Sequence, residues 1–347
     1  MAPTDEDLAG AKLHLLELVN SELAVTPAEI EAKLTEEGKP REQAHFPHVL
    51  TLARQELVLE GRITATEGTG KGGNKLTTFS PTDAAGRTTA IRRAAARKRL
   101  LTARYLGWAE SGSTYKHGII GPTGEAVVRQ AIMESARLSV TETNAGEVTK
   151  ALGVKLRGPL DSGGWLPILN DNGLPAGLAY VPIEVKNIRG WLYPQNSEVF
   201  QLLSKAAVLQ RAAPDTLIHP ILICRRVHYT IFFMAKQLGF KVRDTRQQYI
   251  RTVNDDALAE VRTELGFTDL MKVPKGETTP NLRRFFRRTI EDNALDFTTT
   301  WRATVLDHDL DRHFEILRDD TLRYADRADA MRDLRIDVAH LGLQGGW

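Results

Sequence analysis

At residues 181–187 the chain reads VPIEVKN, a short apolar run of β-strand type that carries one acid and one lysine. Because neighbouring strand residues point to opposite faces, Glu184 and Lys186 should project together while Ile183 and Val185 enter a core. A carboxylate and an ammonium on one side of a buried strand carry a large desolvation cost. The stretch therefore predicts a buried sheet whose charged side has a function.

The residues around this strand predict a mixed α/β domain. Upstream, a helix should begin near Glu125, residues 154–161 should form a strand that ends in Asp161, and residues 165–169 should form another. Downstream, helix alternates with strand over residues 195–211, 218–224, 231–238 and 240–242. The single cysteine, Cys224, lies in an apolar run typical of a buried strand and excludes both an internal disulfide and a Cys-x-x-Cys zinc site.

Several acids and one lysine now form a pattern. The residues that carry it are Gly124-Glu125, Pro159-Leu160-Asp161, Glu184 and Lys186 within residues 183–187, and Gln201 with Lys205. Over residues 119–245 the chain resembles the PD-(D/E)xK nuclease superfamily, in the branch of Holliday-junction resolvases and restriction enzymes. The resemblance implies an α/β fold, α+β overall, with a restriction-endonuclease-like mixed sheet flanked by helices.

The resemblance also implies a metal site and the roles of its residues. Asp161, Glu184 and the Val185 carbonyl would bind Mg²⁺, or Mn²⁺ in its place, because hard cations prefer oxygen ligands. Glu125 would hold a second metal or a metal-bound water, and Lys186 would position the attacking water or neutralise developing charge. Gln201 would line the catalytic site, and Lys205 would stand beside it.

Two alternatives to this set stay open. In the first alternative, Glu184 and Lys186 form a structural ion pair. In the second, the domain has a nuclease fold that is catalytically inactive and serves for binding. Asp161 and Glu184 are 23 positions apart, more than a tight hairpin requires, so Asp171 is the alternative strand-end ligand.

The first 85 residues predict three helices, near residues 5–20, from Thr26, and over 41–59, followed by two β-type runs joined by a Gly- and Lys-rich tip. This order resembles a winged helix-turn-helix. It implies that the third helix enters the major groove of double-stranded DNA and that the tip meets phosphates. The DNA-contacting candidates are His45, His48, Thr51, Arg54 and Gln55 on or near the helix, with Lys71 and Lys75 at the tip. A winged helix that binds protein is the alternative.

Residues 86–118 predict a basic helical linker. Seven basic residues and no acid occur in residues 87–104, among them Arg92, Arg93 and Arg97. The lack of acids argues against a face covered by salt bridges and favours one that tracks phosphates.

Residues 251–347 predict a helical extension of mixed charge. Phe285 and Phe286 should anchor inward between arginine pairs, and residues 307–337 should form a salt-bridged layer that is structural or self-associating. Earlier in the chain, Arg225-Arg226-Val227-His228 follows an apolar strand and is either a phosphate contact or ordinary loop charge.

The sequence thus predicts a winged helix (residues 1–85), a linker (86–118), a nuclease domain (119–250) and a helical extension (251–347). The expected function is Mg²⁺-dependent cleavage of DNA by a restriction or defence endonuclease. A junction-specific resolvase or repair nuclease, and a non-catalytic DNA-binding protein on a degenerate fold, are the alternatives. A homodimer is expected, since double-strand cleavage needs two sites. With an acidic, amphipathic N-terminus that has no signal-peptide pattern, and no apolar run of membrane-spanning length, we expect no membrane partner and a cytoplasmic protein.

Overall fold

The computed structural model describes residues 3–35, 44–69, 73, 75–82, 85–110, 118–140, 147–169 and 172–341. The chain forms two compact units, one of Met1–Ile120 with Thr252–Met271 and one of Gly121–Arg251 with Lys272–Trp347. The four-part division predicted from the sequence stays a prediction. Among the described residues, no helix combines the length and apolar character that crossing a bilayer requires.

The first unit begins with three helices and a β-hairpin, as the sequence predicted. They are α1 (Asp5–Glu22), α2 (Pro27–Thr35), α3 (Pro47–Leu59), β1 (Ile63–Thr69) and β2 (Lys75–Pro81). The two strands pair antiparallel, and the helices pack on them through a core that includes Leu15, Leu50 and Phe79. At the start of α2, Thr26 and Glu29 exchange backbone-to-side-chain hydrogen bonds of 3.4 Å, a capping box that begins the helix directly after Thr26, as predicted.

A buried charge cluster ties α4 (Thr88–Ala109) to these helices. Glu29 is fully buried and accepts hydrogen bonds from Lys98 at 2.5 Å and from Lys33 at 2.7 Å. Lys98 also donates to Glu22 at 2.9 Å and to the Glu264 carbonyl at 2.7 Å. Burial raises the pKa of Glu29. The two lysines offset the cost of burying its carboxylate inside the unit.

Helix α8 (Asp255–Leu265) supplies the acids that the basic helix lacks in its own sequence. Arg97 pairs with Glu264 at 2.7 Å and Arg104 pairs with Glu260 at 2.5 Å. The prediction that this face carries no salt bridges is therefore wrong at these arginines, because the partners lie more than 150 positions away in the chain. Arg92 and Arg93 lie exposed on the same helix.

The second unit contains most of the strands. Its elements before α8 are α5 (Ile120–Ser135), β3 (Ser139–Val140), β4 (Val148–Ala151), β5 (Val154–Leu160), β6 (Ser162–Leu169), β7 (Pro175–Lys186), α6 (Ser197–Ala212), β8 (Leu217–Ile218), β9 (Ile221–Cys224), α7 (Thr230–Leu238), β10 (Lys241–Asp244) and β11 (Gln248–Ile250). After α8 the chain forms β12 (Leu270–Lys272), of which Leu270 and Met271 belong to the first unit. The second unit then continues with α9 (Pro280–Arg284), a π-helical turn (Phe285–Thr289), α10 (Ala294–Arg302), a second π-helical turn (Ala303–Asp307), α11 (Asp311–Leu317) and α12 (Tyr324–His340).

The central sheet is mixed, which confirms the predicted mixed α/β class. Its strands run in the order β10-β9-β7-β6-β3, with β8 also beside β7, and β4 pairs separately with β5. β7, β9 and β10 are parallel, whereas β6 is antiparallel to β7. The carboxyl ends of the parallel strands therefore meet at one edge of the sheet.

The two faces of the sheet bury separate cores. Val181 and Ile183 pack with α5 and with Phe286 on one face. Tyr180 and Leu222 pack with α6 on the other face, together with the helices that follow residue 300. Residues 179–184 of β7 are therefore buried on both faces of the sheet, whereas residues 175–178 are exposed.

Residues 218–224 do not form the single strand that the sequence predicted. The run breaks at His219-Pro220 into β8 and β9, because proline has no N–H to donate to a ladder. Cys224 is buried at the end of β9, as expected. The helical C-terminal region also follows prediction: Phe285 and Phe286 are buried, and α12 carries salt bridges such as Arg332 with Asp329 at 2.6 Å.

The buried charge cluster gives a stability prediction. Lys98→Met should destabilise the first unit by about 2 kcal/mol, because Glu29 stays buried with Lys33 as its one remaining lysine. Urea denaturation followed by circular dichroism would measure the change. Arg92→Met, at an exposed position of the same helix, is the matched control. Equal stabilities of the two variants would contradict the assigned role.

Candidate functional site

One long antiparallel hairpin brings Asp161 beside Glu184. β6 and β7 pair from Ser162 opposite Ile183 to Leu169 opposite Pro175. Asp161 directly precedes β6 and Glu184 directly follows Ile183, so both acids lie at the open end of the hairpin. The separation of 23 positions is thus the length of the hairpin itself. The alternative ligand, Asp171, lies outside the described residues.

Glu184 is buried between two lysines. Its side chain is 5 % exposed and accepts hydrogen bonds from Lys186 at 3.0 Å and from Lys205 at 2.9 Å, one on each carboxylate oxygen. The prediction that Glu184 and Lys186 share one face of the strand is confirmed. Burial disfavours the charge on Lys186, but the adjoining Glu184 outweighs burial and raises the pKa of Lys186. The lysine therefore stays an ammonium inside the site.

Helix α6 supplies the other wall of the site. Gln201 accepts a hydrogen bond from Lys186 at 2.9 Å through its side-chain oxygen. Lys205, one turn later, donates to the Pro159 carbonyl at 2.5 Å as well as to Glu184. The structure thus brings both predicted wall residues into contact with the acid-lysine pair.

Asp161 is the most strongly perturbed acid of the site. One of its carboxylate oxygens accepts a 2.6 Å hydrogen bond from the Val185 N–H. Burial, and then the nearby charge of Glu184, raise the pKa of Asp161 to about 7. A carboxyl group that titrates near neutrality beside another carboxylate is typical of a functional site.

The backbone of Val185 turns a carbonyl oxygen toward the same acid. The N–H and C=O of one strand residue point to the same side of the strand. Since the Val185 N–H meets Asp161, the Val185 carbonyl also lies on the Asp161 side, while the Lys186 carbonyl accepts from Arg225 on the opposite side. Two of the predicted oxygen donors, the Asp161 side chain and the Val185 carbonyl, therefore lie on the same side of β7.

Glu125 lies on α5 and joins the site through Arg129. The two side chains are 3.5 Å apart, and Arg129 donates to the Asp161 carbonyl at 3.1 Å. Burial raises the pKa of Glu125, with Arg129 acting against the shift and Glu184 adding to it. Sequence reasoning missed Arg129; its position four residues after Glu125 on a predicted helix was the available signal.

Gly124 allows α5 to approach the end of β7. A Cβ at this position would lie 2.4 Å from the Asn187 Cβ, so a larger residue would push the helix away. Asn187 is itself fixed, because it donates to the Tyr249 carbonyl at 2.8 Å and accepts from the Tyr249 N–H at 2.9 Å. The contact explains why a glycine precedes Glu125 and why an asparagine follows Lys186.

No family model, curated protein or solved structure matches the chain. What the site can do must therefore be derived from its own residues.

The donor set consists of hard oxygens and suits Mg²⁺ or Mn²⁺. Glu184 opposes the ionisation of Glu125 and of Asp161, Glu125 also opposes that of Asp161, and a bound cation would relieve this repulsion. Within the described part of the chain, however, no group of three His, Cys, Asp or Glu side chains is arranged to hold a metal. The lysine contacts give the physical reason, since both Glu184 oxygens face an ammonium instead of Asp161.

The predicted DNA-contacting residues of the first unit have varied environments. Gln55 and Lys75 are exposed, whereas Arg54 lies over the Phe79 ring at 5.1 Å. His45 hydrogen-bonds to His14 at 2.8 Å. Among the rest, His48 stacks on Phe46, Thr51 donates to the Pro47 carbonyl, and Lys71 lies outside the described residues.

The basic residues 225–228 are largely buried. Arg225 is 2 % exposed and donates to the Arg189 carbonyl. Arg226 is 8 % exposed and lies over the Trp191 ring at 5.6 Å. His228 bonds to Thr230 at 2.7 Å. Through these contacts, the fold itself holds much of the positive charge of Arg225 and Arg226.

The raised pKa of Asp161 predicts a gain in stability on neutralisation. A carboxyl whose folded pKa lies above its unfolded value destabilises the fold as pH rises through the folded pKa. Asp161→Asn, which retains an acceptor for the Val185 N–H, should stabilise the metal-free protein by on the order of 2 kcal/mol at pH 8 and much less at pH 5. Denaturation at both pH values measures this effect. Asp329→Asn, an exposed acid on α12, should give no such pH-dependent gain; a gain equal to that of Asp161→Asn would refute the assignment.

Proposed function

We propose that the second unit is a Mg²⁺-dependent DNA endonuclease of the PD-(D/E)xK kind. The observation that carries the proposal is the meeting of Asp161, Glu184 and Lys186 at the open end of one hairpin, with Glu125 close enough to perturb Asp161. The mixed sheet flanked by helices supports a restriction-endonuclease-like fold.

The residues suit hydrolysis of a phosphodiester. Asp161, Glu184 and the Val185 carbonyl would hold the cation, with Glu125 beside them. When bound, the cation would neutralise the phosphate and lower the pKa of a water molecule. Lys186 keeps its ammonium charge and is oriented by Gln201, so it can face negative charge that develops on the phosphate. Lys205 neutralises the charge of Glu184. Its hydrogen bond to one Glu184 oxygen must break before that oxygen can bind the cation.

The first unit supports delivery of double-stranded DNA to this site. Three helices followed by a two-stranded hairpin have the order of a winged helix, and Gln55, Lys75, Arg92 and Arg93 are exposed. A fused DNA reader favours a restriction or defence nuclease that recognises a sequence or a modification. Cleavage of both strands calls for two active sites, which favours a homodimer.

One observation favours a second candidate, a non-catalytic DNA-binding protein on a degenerate nuclease fold. Both oxygens of Glu184 are taken by lysines. If those ion pairs persist in the presence of Mg²⁺, the unit would bind DNA without cutting it. Calorimetric titration of Mg²⁺ into the protein, with Glu184→Gln as the comparison, separates the two candidates.

Substitutions at the acid-lysine pair test the proposed function. Glu184→Ala and Lys186→Ala should each reduce Mg²⁺-dependent cleavage at least about 100-fold, because the first removes a ligand of the cation and the second removes the ammonium that faces the phosphate. DNA affinity should stay largely intact. Cleavage of linear, branched, methylated and mismatched duplexes measures the loss and also separates a restriction enzyme from a junction resolvase.

Matched controls come from an exposed turn of the same unit. Glu277→Ala and Lys275→Ala remove the same charges from the surface and should leave cleavage unchanged. Full cleavage by both site variants would overturn the proposed function.

A further inference from the structure

A cavity of about 500 Å³ adjoins the candidate site on the α6 side of the sheet. Its volume is in the range of cavities that bind small polar molecules or one nucleotide. The side chains that line it include those of Arg157, Gln201, Lys205, Glu315, Arg318, Asp319 and Asp320. All of them belong to the second unit.

Two of these side chains belong to the proposed catalytic site. Gln201 bonds to Lys186, and Lys205 bonds to Glu184. Whatever occupies the cavity therefore lies directly beside the position expected for the scissile phosphate. The cavity is the natural place for a neighbouring part of the same substrate.

The charges around the cavity argue against the sugar–phosphate backbone as its occupant. Three basic side chains, among them Lys205, are matched by three acids: Glu315, Asp319 and Asp320. A groove that follows phosphates is lined with basic residues, and acids in it would repel the strand. A mixture of donors and acceptors suits a neutral group that offers both, such as the edge of a base pair.

Most of these charged groups already have partners. Glu315 accepts hydrogen bonds from Ser204 and, at 3.3 Å, from Arg157, while Arg318 donates to Ser204 at 3.0 Å. Asp319 accepts from the Thr321 N–H and hydroxyl at 2.9 and 2.7 Å. These hydrogen bonds hold the side chains of Glu315, Arg318 and Asp319 in place along the wall of the cavity.

Arg157 and Asp320 are the groups that are available to a ligand. The Arg157 side chain is 77 % exposed, so its single contact with Glu315 is weak and exchangeable. Asp320 is exposed, and no hydrogen bond or ion pair links its carboxylate to the described residues. The Arg157 guanidinium, a hydrogen-bond donor, and the Asp320 carboxylate, a hydrogen-bond acceptor, thus border the same cavity.

Both groups sit on anchored backbone. Arg157 lies on β5, four residues before Asp161, and β5 is also held through the Pro159 carbonyl by Lys205. Asp320 follows α11 in a turn that Arg327 fixes by donating to the Leu317 carbonyl at 2.7 Å and to the Asp319 carbonyl. Side chains that recognise the edges of base pairs must be held in place by the surrounding backbone.

We infer that this cavity reads the base pair next to the scissile phosphate, with Arg157 donating to guanine and Asp320 accepting from cytosine in a G·C pair. In the major groove guanine offers the O6 and N7 acceptors and cytosine offers the N4 donor, which match one arginine and one carboxylate. The inference rests on the proposed function and adds a sequence preference that belongs to the catalytic unit itself.

The test uses the full chain and a library of duplexes with randomised base pairs, in two arms. In Mg²⁺, sequencing of the cleaved ends gives the base preference beside the cut. Without metal, sequencing of the bound duplexes gives the preference of binding alone. Wild type should favour G·C at one position by at least about fivefold in the cleavage arm and in the same direction in the binding arm.

Two variants and two controls decide the outcome. Arg157→Met should lose the preference, because it removes the donors to guanine, and Asp320→Asn should move it toward A·T, because an amide pairs with adenine. Arg332→Met and Asp329→Asn change an exposed pair on α12 and should retain the wild-type preference. Cleavage with no base preference, or with the same preference in both cavity variants, would overturn the inference and leave the nuclease proposal standing. If no duplex is cleaved, the nuclease proposal fails, and the binding arm alone decides whether the cavity reads G·C.

Discussion

The second unit depends on how one buried carboxylate is neutralised. Glu184 lies on a strand covered on both faces, where an isolated charge would cost several kcal/mol. Lys186 from the same strand and Lys205 from α6 each donate to one of its oxygens, and each lysine makes one further hydrogen bond, to Gln201 and to the Pro159 carbonyl respectively. This arrangement joins β7, α6 and the end of β5. It stabilises the fold and also holds the site together.

The sequence predicted the parts of the site that lie close together in the chain. The pairing of Glu184 with Lys186 follows from the two-residue period of a strand, and the strand-end position of Asp161 follows from the short predicted strand over residues 154–161. The spacing between Asp161 and Glu184 was harder to interpret, because no local pattern gives the length of a hairpin. The contact of Lys205 with Glu184 depends on how α6 packs over the sheet, so the helix pattern suggested a wall residue without identifying its partner.

The basic helix of the first unit shows where charge patterns mislead. A run without acids indicated an open phosphate-binding face, but Arg97 and Arg104 pair with α8, which comes much later in the chain. Long-range ion pairs leave no periodic signal in a sequence. The break in residues 218–224 is different, because Pro220 was visible and its missing N–H was reason enough to divide the strand.

The alternation along β7 also has a consequence for how the chain selects one register. A slip of one residue between β6 and β7 would exchange the two faces of the strand. Glu184 and Lys186 would then enter the apolar layer that Val181 and Ile183 occupy against α5, far from Lys205 and Gln201. An all-apolar strand would tolerate such a slip at a small cost. The same charged residues that form the site therefore also act against misfolding, since a one-residue slip must bury the Glu184–Lys186 pair in an apolar layer without Lys205 and Gln201.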